Sequence, residues 1–408
     1  MEQRENMSLW KLLIVFSFPY FAASLVHNGF LALLPFVREA FDLSRTQIGY
    51  YSTFTFVSSA TLAIFTGSVV DKFGPKKGVL IGVGCIGLAA FLFGLAPSYN
   101  VLLFLALIAG LGFSIITPSL NKGLSLAVPP EKHAVSMGIM QSGFGIGGLI
   151  GTGLIPILGG MLGWQKAIQV SAVFAILMGF LVLKLYQEQE SSGLANHGQS
   201  AQDLVQPSFK DNFLSLFVNK QLLRICIFGL VLGASSNAAL AHFAVFISED
   251  LQMSRAIAGL GLGTYLVGGI TGRIAWGWAS DYIFQGNRKL ALFTIALFIG
   301  VIYLLFGLIL NTPQVNPMFM FVFSFILGFS ADGWQGVHLA AVGDSAGKKV
   351  AGIATGLALL FLRVGLLVAP PVIGFIADLQ GSYGYSWILF GLSVLIASHF
   401  LYFLKYRK

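Results

Sequence analysis

Apolar stretches of about 20 residues, each long enough to cross a bilayer core as a helix, recur twelve times along this chain. They run roughly over 10–37, 47–70, 78–97, 100–126, 134–160 and 165–186, then 222–247, 256–280, 289–311, 316–340, 349–376 and 384–404. No other feature constrains the fold as tightly. Only 10% of residues are charged and 56% are hydrophobic. A soluble domain carries roughly 25% charged residues, so this chain could not cover a soluble globule with polar surface. The first stretch starts near Leu9 and is too long for the apolar core of a signal peptide, which makes it the first span. The one long polar segment, 187–219, reads as a cytoplasmic linker between six-helix units over 1–186 and 220–408. The expected architecture is an all-α polytopic membrane protein, with twelve transmembrane helices in two pseudo-symmetric six-helix bundles.

Lysine and arginine orient the chain. With the N-terminus in the cytoplasm, eighteen of the 24 basic residues fall on the cytoplasmic side or its helix ends, among them Lys72, Lys76, Lys77, Lys122, Arg288 and Lys289. The opposite side holds Arg38, Arg45, Lys166 and Arg255, while Arg273 and Arg363 lie inside spans. The net charge of +8 is therefore topological, and nucleic acid is not expected as a partner. Both termini are expected in the cytoplasm. Cys85 and Cys226 sit in apolar stretches and read as inert buried thiols. No metal-ligand spacing, phosphate loop or nucleophile constellation occurs, so no metal, cofactor or enzymatic activity is expected.

A shift of 210 positions lays one half on the other without a gap. "FVREAFDLSRTQIG" (36–49) falls on "FISEDLQMSRAIAG" (246–259), with Ser44-Arg45 on Ser254-Arg255, Gly49 on Gly259, Gly67 on Gly277 and Asp71 on Asp281. Two six-helix units repeated in parallel about an axis along the membrane normal make a transporter architecture. "GSVVDKFGPKK" (67–77) resembles the loop motif of the major facilitator superfamily, through Gly67, Asp71, Lys72, Gly74, Lys76 and Lys77. The second half keeps Gly277 and Asp281, then Arg288 and Lys289, with Tyr282 in place of the basic neighbour. The motif implies a cytoplasmic gate. Gly67 lets two helices come close, and Asp71 accepts hydrogen bonds and pairs with cations at a helix end. "SMGIMQSGFGIGGLIG" (136–151) and "GWQGVHLAAVGDSAGKKVAGIATG" (333–356) are similar to a bacterial branch that includes cyanate-permease-like and organic-anion permeases. That resemblance implies a bacterial inner-membrane protein. "GTGLIPILGG" (151–160) resembles the antiporter motif of drug exporters, except that Ile155 precedes the proline. Helix packing through small residues is its other reading.

Ionisable residues within a span are costly and mark function. Asp332 is the one acid well inside a span, and with His338 it is the candidate for proton coupling. Arg363 lies in the eleventh span, where it either pairs with Asp332 or lines a cavity. His27 and Asn28 stand in the first span; Asn237 of the seventh matches His27 under the shift, and His242 follows. Gln141, Tyr265, Trp334 and Gln335 are further hydrogen-bonding candidates. Interhelical packing is the plain reading of each, but the matched placement in both halves points to a shared central cavity. Arg273 resembles the eighth-helix arginine of oxalate/formate and monocarboxylate transporters. In those families it engages the substrate carboxylate, often with a second cation in the eleventh helix, here Arg363. The animal monocarboxylate pattern has an acid one turn earlier, where this chain has Gly269. Arg273 is therefore expected to lack a built-in partner and to be free for a ligand, which its guanidinium would grip through two parallel hydrogen bonds. An arginine bonding backbone carbonyls is the alternative.

The expected function is secondary transport of a small anion, an organic carboxylate, by alternating access. Protons or another ion drive it, and the carrier is a monomer in the bilayer. One rival is a proton-coupled drug or metabolite exporter. Another, of a different class, is a transporter-like sensor or assembly protein.

Overall fold

The computed structural model describes residues 9–128, 133–186, 219–309, 316–346 and 351–402. The first half holds α1 (Leu9–Phe41), α2 (Arg45–Phe73), α3 (Pro75–Phe93), α4 (Tyr99–Ala127), α5 (His133–Leu162) and α6 (Trp164–Leu185). The second holds α7 (Lys220–Glu249), α8 (Arg255–Trp278), α9 (Arg288–Ile309), α10 (Pro317–Ala331), α11 (Gln335–Ala346), α12 (Ala351–Gln380) and α13 (Gly384–Tyr402). The tenth span, expected as one helix, is broken into α10 and α11. Most of the segment expected to be a linker lies outside the described residues.

Ten segments are long and apolar enough to cross a membrane by length and composition. The two remaining spans are α2 and α8, which are mates under the 210-residue shift. Hydroxyl residues dilute α2 and glycines dilute α8. The physical reason is where they sit: α2 packs on α12 and α8 on α5, each against the opposite half. A helix facing protein and cavity needs less lipophilic surface than one facing lipid.

Close packing within the first half rests on small residues. Gly143, Gly147 and Gly151 of α5 lie on the α1 backbone at Ser17, Phe21 and Leu25, and a Cβ at Gly151 would come within 2.7 Å of the Leu25 carbonyl oxygen. Gly159 lies on Leu33, whereas nothing lies close to Gly160. The 151–160 stretch thus serves helix packing. In α12, Pro370 and Pro371 lack the N–H groups that would bond the carbonyls of Leu366 and Leu367. Asn237 Nδ2 donates to the Leu366 oxygen at 2.7 Å, and Thr53 Oγ1, from the other half, to that of Leu367 at 2.8 Å.

An even number of crossings puts the start of α1, the α2–α3 turn and the end of α13 on one face, here the terminal face. The halves close on each other at the opposite face. Glu39 and Glu249 are mates under the shift, as are Arg45 and Arg255. Arg255 pairs with Glu39, and Arg45 with Glu249 at 3.3 Å, so the sequence repeat returns as exchanged ion pairs across the interface. Even the unusual backbone repeats: the mates Asp42 and Gln252 have φ 48° and 52°. Arg38 also pairs with Glu249, and Arg45 Nη2 reaches Asp250 at 3.1 Å. Asp378 of α12 caps α2 by accepting the N–H groups of Arg45 at 2.7 Å and Thr46 at 2.8 Å. Among the described residues, every ion pair that joins the halves lies at this face.

Candidate functional site

A cavity of about 360 Å³ lies between the halves. Its charged wall is built by the break in the tenth span. Gly333 permits the break, because a Cβ there would fall 2.8 Å from the Gly272 carbonyl carbon. The last carbonyls of α10 then need donors from side chains. Trp276 Nε1 donates to the Phe329 oxygen at 3.1 Å, Trp334 Nε1 to that of Ala331 at 2.9 Å, and Arg273 Nε to that of Asp332 at 3.2 Å.

Arg273 does not lack a partner, contrary to the sequence expectation. Its Nη2 lies 2.6 Å from Asp332 Oδ2. The acid missing from α8 arrives from α10. Gly269 marks the space it fills, since a Cβ there would lie 2.6 Å from Asp332 Oδ2. Arg273 thus combines both readings, bonding a backbone carbonyl and standing on the cavity wall. Its side chain is 47% exposed, against 20% for Asp332, and Nη1 makes no hydrogen bond among the described residues. Arg363 follows neither of its expected courses. It is exposed, has no ion pair among the described residues, and does not line the cavity.

Gln335, Tyr265, Asn237 and Ser236 complete the second half's wall. Tyr265 Oη donates to the Ser236 carbonyl at 3.5 Å, and the Asn237 amide nitrogen is engaged by Leu366. The first half contributes His27, Asn28, Thr55, Ser59 and Thr117 among Phe56, Phe113 and Phe144. The His27 ring stacks on Tyr51 at 5.9 Å and meets Phe56 and Phe113 edge-on at 5.9 and 5.4 Å. Asn28 Nδ2 donates to Ser24 Oγ at 2.8 Å.

Other candidates lie elsewhere. His242 is buried near the opposite face, where Nε2 donates to the Pro370 oxygen at 2.7 Å and Nδ1 accepts from Tyr383 Oη at 2.9 Å. His338 packs on Gly229 and bonds the Ile225 oxygen at 3.0 Å, so it does not face Asp332's cavity. Trp334 is fully buried, its indole also bonding Ser236 Oγ at 3.1 Å. Gln141 is exposed outside the cavity, one turn from Phe144.

At the terminal face, the surroundings of Gly67 and the side chain of Asp71 fall outside what the structure describes. Gly74 is needed for its backbone: φ 85° joins α2 to α3, and its N–H returns to the Val70 oxygen at 2.9 Å. Lys122 Nζ donates to the same oxygen at 3.4 Å. Lys72 lies over the Phe73 ring, 5.6 Å from its centre, and Lys76 and Lys77 open α3. In the second half, a π-turn over Ala279–Ile283 carries Asp281, which pairs with Arg288; Arg288 also reaches Asp344 at 3.6 Å. Nothing lies close to Gly277; the tight contacts of α8 are Gly268 on Phe325 and Gly272 on Phe329.

Sequence reasoning missed the aromatic wall and the seal at the opposite face. The seal had a signal, because Glu39 over Glu249 and Arg45 over Arg255 stand in the matched strings. The wall had a weaker one, hydroxyl residues Thr55 and Ser59 inside a span.

Two six-helix halves, sealed at one face around a central cavity with one charged wall, define a polytopic membrane transporter. The chain belongs to the Major Facilitator Superfamily, whose sequence model matches residues 16–248 and 225–408. It is 27% identical over 405 residues to a cis,cis-muconate transport protein of Acinetobacter baylyi, covering 95% of this chain and 92% of that one. It is 25% identical to a probable sulfoacetate transporter of Cupriavidus necator, covering 91% and 88%. The crystal structure of the nucleoside transporter NupG superposes with a TM-score of 0.78 at 15% identity, covering 97% of this chain and 100% of that one. At that identity the likeness is one of fold.

Proposed function

We propose that this protein carries a small organic carboxylate across the bacterial inner membrane by alternating access, with the terminal face and both termini in the cytoplasm. One observation carries the reading: Arg273 presents a half-exposed guanidinium to a central cavity, beside Asp332, the one acid that lines it among the described residues. A substrate carboxylate can take Asp332's place on the arginine fork, as charge-assisted parallel hydrogen bonds favour. Asp332, left without its cation, is then the acid placed to take up the coupled proton. Substrate carboxylate and Asp332 would thereby compete for one cation. The relatives named for muconate and sulfoacetate, both anions, support the substrate class. Closure at the opposite face leaves the cavity to communicate with the terminal face, the arrangement of a cytoplasm-facing state.

The test is binding to purified protein of cis,cis-muconate, sulfoacetate, benzoate and a lipophilic cation. Arg273→Lys should weaken the anion that binds by roughly 10- to 100-fold, since hydrogen bonds to charged groups carry that much. Equal binding by Arg273→Lys, or a preference for the cation, would overturn the reading. In vesicles, Asp332→Asn should abolish proton-driven accumulation and spare exchange; undiminished proton dependence would remove Asp332 from the coupling.

A further inference from the structure

Resting on the carboxylate site proposed above, we infer that the substrate is a hydroxylated aromatic monocarboxylate. Its carboxylate lies on Arg273, its ring against Phe56, Phe113 and Phe144, and its hydroxyl at His27 and Asn28. The two walls of the cavity differ in kind. Among the described residues, the second half supplies the one cation that lines it, and the first half supplies three phenylalanine rings. One cation already balanced by Asp332 accommodates one anionic group. A second carboxylate at the far wall would meet neutral groups and aromatic rings.

The far wall nevertheless asks for a polar partner. His27 and Asn28 are 4% and 1% exposed, yet His27 Nδ1 and Asn28 Oδ1 have no hydrogen-bond partner among the described residues. Buried polar atoms are rarely left so, and an unmade bond is costly. The rings of Tyr51, Phe56 and Phe113 surround the imidazole, Ser24 accepts from the amide, and both residues line the cavity. A hydroxyl is both donor and acceptor, and therefore serves either imidazole tautomer and either amide orientation. Phenyl faces favour an aromatic body through offset or edge contacts. The volume sits at the small end of ligand sites, which span roughly 300–1,000 Å³. A single-ring acid therefore reaches both walls.

The experiment is calorimetric titration of the full chain in lipid nanodiscs with benzoate, 3- and 4-hydroxybenzoate, cyclohexanecarboxylate and terephthalate. One of the two hydroxybenzoates should bind about tenfold or more tighter than benzoate, the ratio expected when a buried polar pair gains its missing partner. Benzoate should bind more tightly than cyclohexanecarboxylate, and terephthalate should be the weakest. Asn28→Leu and His27→Phe should each collapse the hydroxyl's advantage, whereas Arg273→Lys should weaken benzoate and hydroxybenzoate alike and keep their ratio. Equal affinity of benzoate and both hydroxybenzoates in the wild type, an advantage that survives both first-half substitutions, or terephthalate binding most tightly would each overturn the inference. If sulfoacetate binds through Arg273 and no aromatic acid does, the inference fails and the carboxylate site stands. If no anion binds at all, both fail.

Discussion

Arg45 and Arg255 occupy equivalent places in the two halves, cap-adjacent to Ser44 and Ser254 and paired across the interface with the equivalent acids Glu249 and Glu39. Their surroundings are unlike. The Arg45 side chain is 10% exposed, bonds Glu249, Asp250 and the Ala377 oxygen, and lies 5.0 Å above the Tyr383 ring. The Arg255 side chain is 39% exposed and its partner Glu39 69%, with the Phe36 ring 4.6 Å away. The second half adds Asp250, Asp378 and Tyr383 around Arg45; no comparable set surrounds Arg255 among the described residues. Duplicated residues thus make one strong corner and one weak corner of the same seal. A buried charge depends on its partners, and an exposed pair depends little on anything.

Breaking the strong corner should have the largest effect. Arg45→Ala leaves the buried Asp250 without its cation, while Glu249 keeps Arg38; removing one member of a buried pair costs about 3–5 kcal/mol. The seal should open, and spin-label distances between the ends of α2 and α12 should lengthen. Distances matching the wild type would show that the corner does not hold the halves. Next come the mated glycines. A Cβ at Gly49 would lie 2.5 Å from the Pro370 carbonyl carbon, and one at Gly259 would lie 2.6 Å from the Thr152 oxygen. Gly49→Ala and Gly259→Ala should each disfavour closure by about 1–3 kcal/mol and should do so equally. A large difference between them would mean that the asymmetry extends beyond the charges.

Asp378→Asn sharpens the contrast by trimming the strong corner. It keeps one acceptor for the α2 N-terminus and loses the charge, so about 1 kcal/mol of stability should go, read from the melting temperature. A drop as large as that of Arg45→Ala would make the cap, not the arginine, the centre of the corner. Smallest of all, Arg255→Ala should cost at most about 1 kcal/mol. That cost should shrink in about 1 M salt, where the Debye length is about 3 Å. A salt-resistant loss would contradict the exposed geometry.

The sequence was most informative where the physics is local. Long apolar stretches revealed the spans, and the gapless shift revealed the duplication, because both are properties of neighbouring residues. Arg273, Asp332, His27 and Asn28 could be singled out as polar residues within spans. Their company could not. Arg273's acid stands 59 positions away on a helix whose break turns on Gly333, and the absence of an acid at Gly269 suggested a free arginine when it had instead made room for Asp332. His242 and His338 looked like cavity residues by the same reasoning as His27, yet each is turned to a backbone carbonyl of its own half.

By itself, then, the sequence determined that the chain lives in lipid, that it is two copies of one six-helix unit, and that a few polar groups lie deep within it. Hydrophobic burial is roughly a sum over local composition, so it survives being read in one dimension. Only the tertiary structure decided which charges meet, which copy of each duplicated residue became buried, and which polar residues beside the cavity were left with unpartnered atoms. Those outcomes depend on distances between helices tens to hundreds of residues apart, and a shift of a few ångströms exchanges a paired charge for a free one.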